Sequence, residues 1–214
     1  LRTPLAVIKG TMEVLIRKPR NQQEYEEKIQ FCISEVDRLN HMVDQLLLLA
    51  RFENQKQNVK QETIYLNALV LDNLTRFSEK SENKKLKIKT EFTEDYYLIS
   101  DNYLVSIIIS NLISNAIKYS NPNGEIAIEL GKTNDEVTFS ITDYGVGIAK
   151  NDLDKIFNSF YRSDVSNHPE IKGTGLGLSI VKRLCDLLRI KISVESRINE
   201  KTKFILQFSS AKLK

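Results

Sequence analysis

Cysteine, proline, glycine and histidine are all scarce in this chain: 214 residues hold two, four, eight and two of them. The two thiols, Cys32 and Cys185, lie in apolar helical contexts with no CxxC pair or metal-ligand spacing. That excludes a disulfide framework and leaves buried free cysteines of a reducing compartment. Net charge is also low, because 31 basic and 28 acidic residues are interspersed to give +3. Nothing in that balance calls for a nucleic-acid or membrane-surface partner. No apolar run approaches the ~20 residues that span a bilayer, and no signal peptide is visible, so the segment is expected to be soluble and cytoplasmic. Disorder is excluded by the 41% hydrophobic content, which supplies a sizeable core for one or two domains. His41 falls in a helical pattern and His168 in a glycine-flanked loop, and both read as surface or packing residues.

What is present begins with a seam. Leu1, Leu5, Ile8, Met12 and Leu15 recur at alternating spacings of four and three, as in a coiled coil. Lys18-Pro19-Arg20-Asn21 interrupts the pattern, and Ile29, Cys32, Val36, Leu39, Val43, Leu46 and Ala50 resume it. A helical hairpin follows, its second helix about 30 residues and roughly 45 Å long. The shorter helix cannot cover that stripe. Two hairpins pairing as a four-helix bundle would cover it, and a hairpin folded back on the second domain is the alternative. Pro4 either bends the first helix or opens it. From Glu53 to Gln61 the composition is that of a linker, which sets domains at 1–57 and 58–214.

After the linker the pattern predicts a strand near Thr63 to Tyr65, a helix over Asn67 to Asn83, and strands near Leu86 to Phe92 and Tyr96 to Ile99. A helix opened by Ser100 or Asp101 comes next, then a hairpin near Glu125 to Leu130 and Glu136 to Thr142. A long loop, a helix from about Leu176, and strands near Lys191 to Glu195 and Lys203 to Phe208 complete the chain. This order predicts an α/β sandwich, a mixed sheet with helices over one face. Lys84, Lys85, Lys87 and Lys89 form the one basic cluster, read as a solvated strand edge.

Three stretches carry candidate chemistry. In Asn111 to Tyr119 (NLISNAIKY), Asn111, Asn115 and Lys118 share one helix face while Ile108, Leu112 and Ala116 take another. Two amides and an ammonium there would serve a hydrated Mg²⁺ and a polyphosphate, or would simply be solvated. In Asp143 to Ile148 (DYGVGI), an aspartate ends a strand ahead of Gly145 and Gly147. It would accept from an exocyclic amine such as adenine's, or close an Asx turn. In Gly173 to Leu178 (GTGLGL), three alternate glycines open a helix. They would let backbone N–H groups reach phosphate, or act as a flexible connector.

Taken together these stretches resemble the N box and the two glycine boxes in the catalytic domain of sensor histidine kinases, the two-component signalling branch of the family that also holds gyrase, Hsp90 and MutL ATPases. Phe157, Phe160, Tyr161 and Arg162 (FNSFYR) resemble the F box found in the kinases and absent from the other branches. Leu1-Arg2-Thr3-Pro4-Leu5 resembles the tail of the phosphoacceptor motif H-E-L-R-T-P-L, whose histidine and acidic residue are absent from this sequence. The resemblance implies a hairpin that dimerises and carries the phosphotransfer histidine, followed by an ATP-binding domain.

By the same resemblance Asp143 fixes the adenine amine, Tyr119 and Ile148 line the base, and Gly145 and Gly147 allow the close turn. Asn115 ligates Mg²⁺, Asn111 supports the phosphates, and Lys118 and Arg162 neutralise their charge. The amides of Thr174, Gly175 and Leu176 cradle the phosphates within a loop completed by Gly173, Gly177 and Leu178. Phe157 and Phe160 anchor a lid running from Ala149 to Lys172. Catalysis would rest on Asn111, Lys118 and Arg162, with Thr3 in the place of a water-orienting residue for dephosphorylating the regulator.

The implied function is γ-phosphate transfer from Mg-ATP to a histidine and then to an aspartate of a response regulator. Without its acceptor this segment is not expected to phosphorylate itself. The implied partners are a second copy of the chain and a receiver domain, with an upstream membrane anchor. Where relatives often carry an arginine this chain has Tyr103, with a packing consequence only. Two alternatives stand beside this: a conformational ATPase of the gyrase or Hsp90 type, which needs a carboxylate where Asn111 stands, and a non-catalytic dimeric scaffold that docks a regulator.

Overall fold

A computed structural model describes residues 2–53, 59–133, 136–163 and 173–209. It divides into two compact units, residues 1–55 and 56–214. The side chains of Thr3 and His41, the whole of His168, linker residues 54–58 and loop residues 164–172 lie outside the described residues.

The first unit is the expected hairpin of α1 (Arg2–Ile16) and α2 (Gln22–Glu53). Pro4 sits in the first turn of α1, where its missing N–H has no helical partner to lose. Asn21 opens α2: its Oδ1 accepts the Glu24 N–H at 2.8 Å and its amide donates to the Glu24 carboxylate at 3.1 Å. Leu15 and Cys32 are buried between the helices. Leu5, Met12, Ile29, Ile33, Val36, Val43 and Leu47 remain exposed, so one hairpin covers only part of the apolar stripe.

The second unit is a mixed sheet under helices. A five-stranded sheet runs in the order β2 (Lys87–Phe92), β4 (Glu125–Thr133), β5 (Glu136–Asp143), β7 (Lys201–Phe208), β6 (Lys191–Arg197). The β2–β4 pair is parallel and the others antiparallel. A separate ladder joins β1 (Glu62–Tyr65) to β3 (Tyr97–Ser100). The helices are α3 (Leu66–Thr75), α4 (Ser78–Asn83), α5 (Asn102–Tyr119) and α6 (Gly177–Leu188). Along α5 the buried residues Leu104, Val105, Ile108, Ile109, Leu112, Ile113 and Ala116 recur at helical spacing. With Ile180, Val181 and Leu184 of α6 they meet the sheet's inward rows, including Ile128, Phe139, Ile141 and Leu206.

Two expectations need correction. The helix predicted over Asn67 to Asn83 is two helices, because the Phe77 N–H turns to the Leu74 carbonyl at 2.9 Å and Phe77 leaves the helical region at φ −111°, ψ 9°. The basic cluster is also not uniform. Lys87 and Lys89 do lie on an edge strand, but the Lys84 ammonium reaches inward to the carbonyls of Ile117, Lys118 and Ser120.

Asp101 caps α5, as one of the two predicted candidates. Its Oδ1 accepts the Leu104 N–H and its Oδ2 the Lys60 N–H, each at 3.1 Å. Replacing it by alanine is expected to lower stability by about 1–2 kcal/mol. Urea denaturation followed by circular dichroism measures this, and an unchanged midpoint would remove the cap from the account.

Candidate functional site

Alternation along β5 turns Val137, Phe139, Ile141 and Asp143 to the helix-covered face. The row is apolar until its last member. Asp143 stands in register with Ile126 of β4 and Thr202 of β7, and it is 4% exposed. Its Oδ1 has no hydrogen-bond partner. Burial pushes the carboxyl from 3.8 up to about 7, against the Gly145 backbone N–H and the Lys84 ammonium, which both pull it down. A buried acceptor left this way is costly to the folded chain and suits a donor carried by a ligand.

The glycine turn after Asp143 is tied to its neighbours on both sides. A Cβ on Gly145 would run into the Tyr119 carbonyl oxygen, which accepts the Val146 N–H at 3.2 Å. Gly147 has φ +67°, a region glycine enters without strain, and lies against the Arg197 carbonyl. Beyond it the Ile148 N–H donates to Ser196 Oγ at 2.8 Å, and the Asn199 N–H to the Val146 carbonyl at 2.9 Å. The α5 terminus and the β6–β7 turn therefore hold the glycine turn between them.

Asn115, Tyr119, Asp143, Gly147, Ile148 and Arg162 line one pocket, with Leu178 among its walls. Asn111 and Lys118 stand beside it on the same face of α5. A Cβ on Gly173 would meet the Lys118 ammonium, and one on Gly177 would come within 2.8 Å of Asn111 Oδ1, so the glycine run lies along that polar face. Asn111 donates to its own helix, Nδ2 to the Ile107 carbonyl at 2.9 Å. Lys118 donates to the Tyr119 hydroxyl at 3.1 Å and lies 4.6 Å from its ring centroid. Burial raises the Tyr119 phenol, opposed by Arg162.

Within the loop, two residues sit differently from expectation. Leu176 is fully buried, and its N–H donates to Thr174 Oγ1 at 3.2 Å, so that amide is engaged inside the loop. Phe160, expected to anchor by packing, has φ +64° and is 61% exposed. Its backbone N–H bonds the Gly175 carbonyl at 2.9 Å, and among the described residues of the segment the buried apolar one is Ile156. Asp152 accepts from the Tyr161 hydroxyl at 2.7 Å and from Ser163 Oγ at 2.5 Å, fixing the neighbours of Arg162 on both sides.

The pocket also includes Val146, Ile156, Ser163, Thr202 and Phe204, which pattern reading did not single out, and Tyr161, named only as part of the F box. Thr202 and Phe204 arrive through the β5–β7 register, a long-range pairing with no local signature.

Residues 100–212 match the family model of histidine kinase-, DNA gyrase B- and HSP90-like ATPases, and residues 1–55 match the His Kinase A phospho-acceptor domain. The chain belongs to the sensor histidine kinases. It is 31% identical over 208 residues to the sensor protein IrlS of Burkholderia pseudomallei, covering 97% of this chain and 44% of that protein. It spans less than half the length of the curated relatives it matches. Among solved structures, histidine kinase ThkA in complex with the response regulator TrrA superposes with a TM-score of 0.78 at 24% identity, over 97% of this chain and 57% of that one. Full-length ShkA in complex with AMPPNP gives 0.75 at 22% identity, over 99% and 45%.

Because the folded pKa of Asp143 lies above the unfolded one, its contribution to stability is fully present below about pH 4 and lost as pH rises through about 7. The swing is on the order of 4 kcal/mol. Thermal unfolding of the ligand-free chain from pH 5 to 8 should show this decline, and Asp143→Asn should flatten it. An identical slope in the variant would mean that Asp143 does not titrate in this range.

Proposed function

We propose that the second unit binds Mg-ATP with its adenine against Asp143 and transfers the γ-phosphate to a histidine presented by a helical hairpin of the first unit's type, from which it passes to an aspartate of a response regulator. The observation that carries this reading is the buried Asp143 carboxyl, with its unpartnered oxygen, in the wall of a pocket. Adenine brings an exocyclic amine, a donor for that acceptor. AMPPNP in ShkA and the regulator bound by ThkA support the nucleotide and the partner.

Roles follow from placement. Tyr119 and Ile148 line the base, while Lys118 and Arg162 supply positive charge to the phosphates, with Asn111 and the Gly173, Thr174, Gly175 and Gly177 segment beside them. Asn115 offers an amide oxygen to Mg²⁺, an ion that accepts oxygen ligands and keeps several waters. Among the described residues no group of three His, Cys, Asp or Glu could hold a metal, so nucleotide oxygens and water would complete its shell. Bound there, Mg²⁺ would neutralise phosphate charge. Asn111, an amide where a gyrase-type hydrolase needs a carboxylate to activate water, supports transfer over hydrolysis.

The exposed apolar stripe of the first unit supports a homodimer closed as a four-helix bundle. Buried free Cys32 and Cys185, with no helix among the described residues apolar enough to cross a membrane, support a cytoplasmic placement. Thr3 is retained as the proposed water-orienting residue of a regulator phosphatase.

Asp143→Asn should weaken Mg-ADP binding at least about tenfold, the scale of a hydrogen bond to a charged group. Calorimetry showing unchanged affinity would end the adenine assignment. Mixing the chain with radiolabelled ATP and a hairpin that carries the acceptor motif should place acid-labile label on its histidine. Phosphate released to water with no labelled histidine would favour the hydrolase.

A further inference from the structure

A helix ends with backbone carbonyls that lack helical partners, and at α5 each of the last ones is accounted for. Ala116 O receives the Ser120 N–H at 3.0 Å and the Ser120 hydroxyl at 2.7 Å, and Tyr119 O receives the Val146 N–H at 3.2 Å. Ile117 O, Lys118 O and Ser120 O all receive the Lys84 ammonium, at 3.0, 2.8 and 2.9 Å. An ammonium has three protons to donate and complements the negative end of the helix dipole. Lys84 is itself held in place, since its carbonyl accepts the Asn123 N–H at 2.9 Å at the α4–β2 connection.

The same ammonium acts on Asp143. Of the charged groups on the elements around that carboxyl, Lys118 of α5 lies over the Tyr119 ring, and Arg162 belongs to the loop that lines the same pocket. On β7, Lys203 points to the opposite sheet face by alternation and pairs with Glu129 at 2.9 Å. At the start of β4, Glu125 pairs with Lys89 at 2.7 Å. Lys84 is the cation whose field favours ionised Asp143.

We propose that Lys84 is a positioning residue for nucleotide recognition: one side chain closes the α5 terminus that carries Tyr119, and its charge favours the ionised Asp143 carboxyl, the stronger acceptor for the adenine amine. The proposal rests on the adenine reading above. Lys85, Lys87 and Lys89, its neighbours in sequence, are exposed and take no part.

The test is Mg-ADP calorimetry on the intact chain with Lys84→Met, Lys84→Arg, Asp143→Asn, the Lys84→Met/Asp143→Asn double variant, and Lys87→Met as control. Lys84→Met should bind about tenfold more weakly near pH 7 and recover part of that loss near pH 8.5, where the carboxyl ionises without help. Lys84→Arg should retain more affinity than Lys84→Met, the control should match the parent chain, and the double variant should bind no more weakly than Asp143→Asn alone. Equal affinity in Lys84→Met and the parent, or a loss independent of pH and additive with Asp143→Asn, overturns the proposal. Should Lys84→Met fail to fold by circular dichroism, Lys84→Gln replaces it with the same outcomes. If Asp143→Asn itself leaves affinity unchanged, the adenine reading fails and this proposal falls with it.

Discussion

The site depends on a carboxyl placed where an apolar side chain would ordinarily stand. Three inward positions of β5 are Val137, Phe139 and Ile141, and the fourth is Asp143. Strand alternation makes the position unavoidably buried, so the chain carries an ionisable group in its core and loses stability for it. Such strain persists where the surroundings over-determine it, and here they do: α5 from one side, the β6–β7 turn from the other, and the glycine turn pinned between them. Walls tied together by backbone hydrogen bonds around a poorly satisfied acceptor make a binding site.

Close approach explains why glycine is concentrated here. Gly145 lets the turn touch the Tyr119 carbonyl, and the run from Gly173 to Gly177 lets a loop lie against Asn111 and Lys118. One segment thus meets the C-terminal end of α5 and the other its polar face, and neither could come so near with a side chain in the way.

Much of this was legible in the chain itself, for local reasons. Helical spacing along α5 located its apolar and polar faces, turn formers marked the hairpin, and a strand ending in Asp143 ahead of glycines pointed to the pocket wall. Legibility stopped where long-range geometry decides. Thr202 and Phe204 enter the pocket only through the β5–β7 register, and the division between α3 and α4 lies in the backbone at Phe77, where no proline or glycine marks it. Lys84 is the clearest case: by composition it belongs with three solvated lysines, yet its partners are carbonyls more than 30 residues away. Phe160 erred the other way, since an aromatic side chain suggested packing where the backbone makes the connection.

Because burial holds the Asp143 carboxyl up to about 7, the ligand-free chain near neutral pH carries a proton there in part of its population. An amine that donates more strongly to the ionised form releases part of that proton to solvent on binding. Occupancy of this pocket is then a thermochemical exchange as well as an association, and its apparent heat would shift with the ionisation enthalpy of the surrounding buffer.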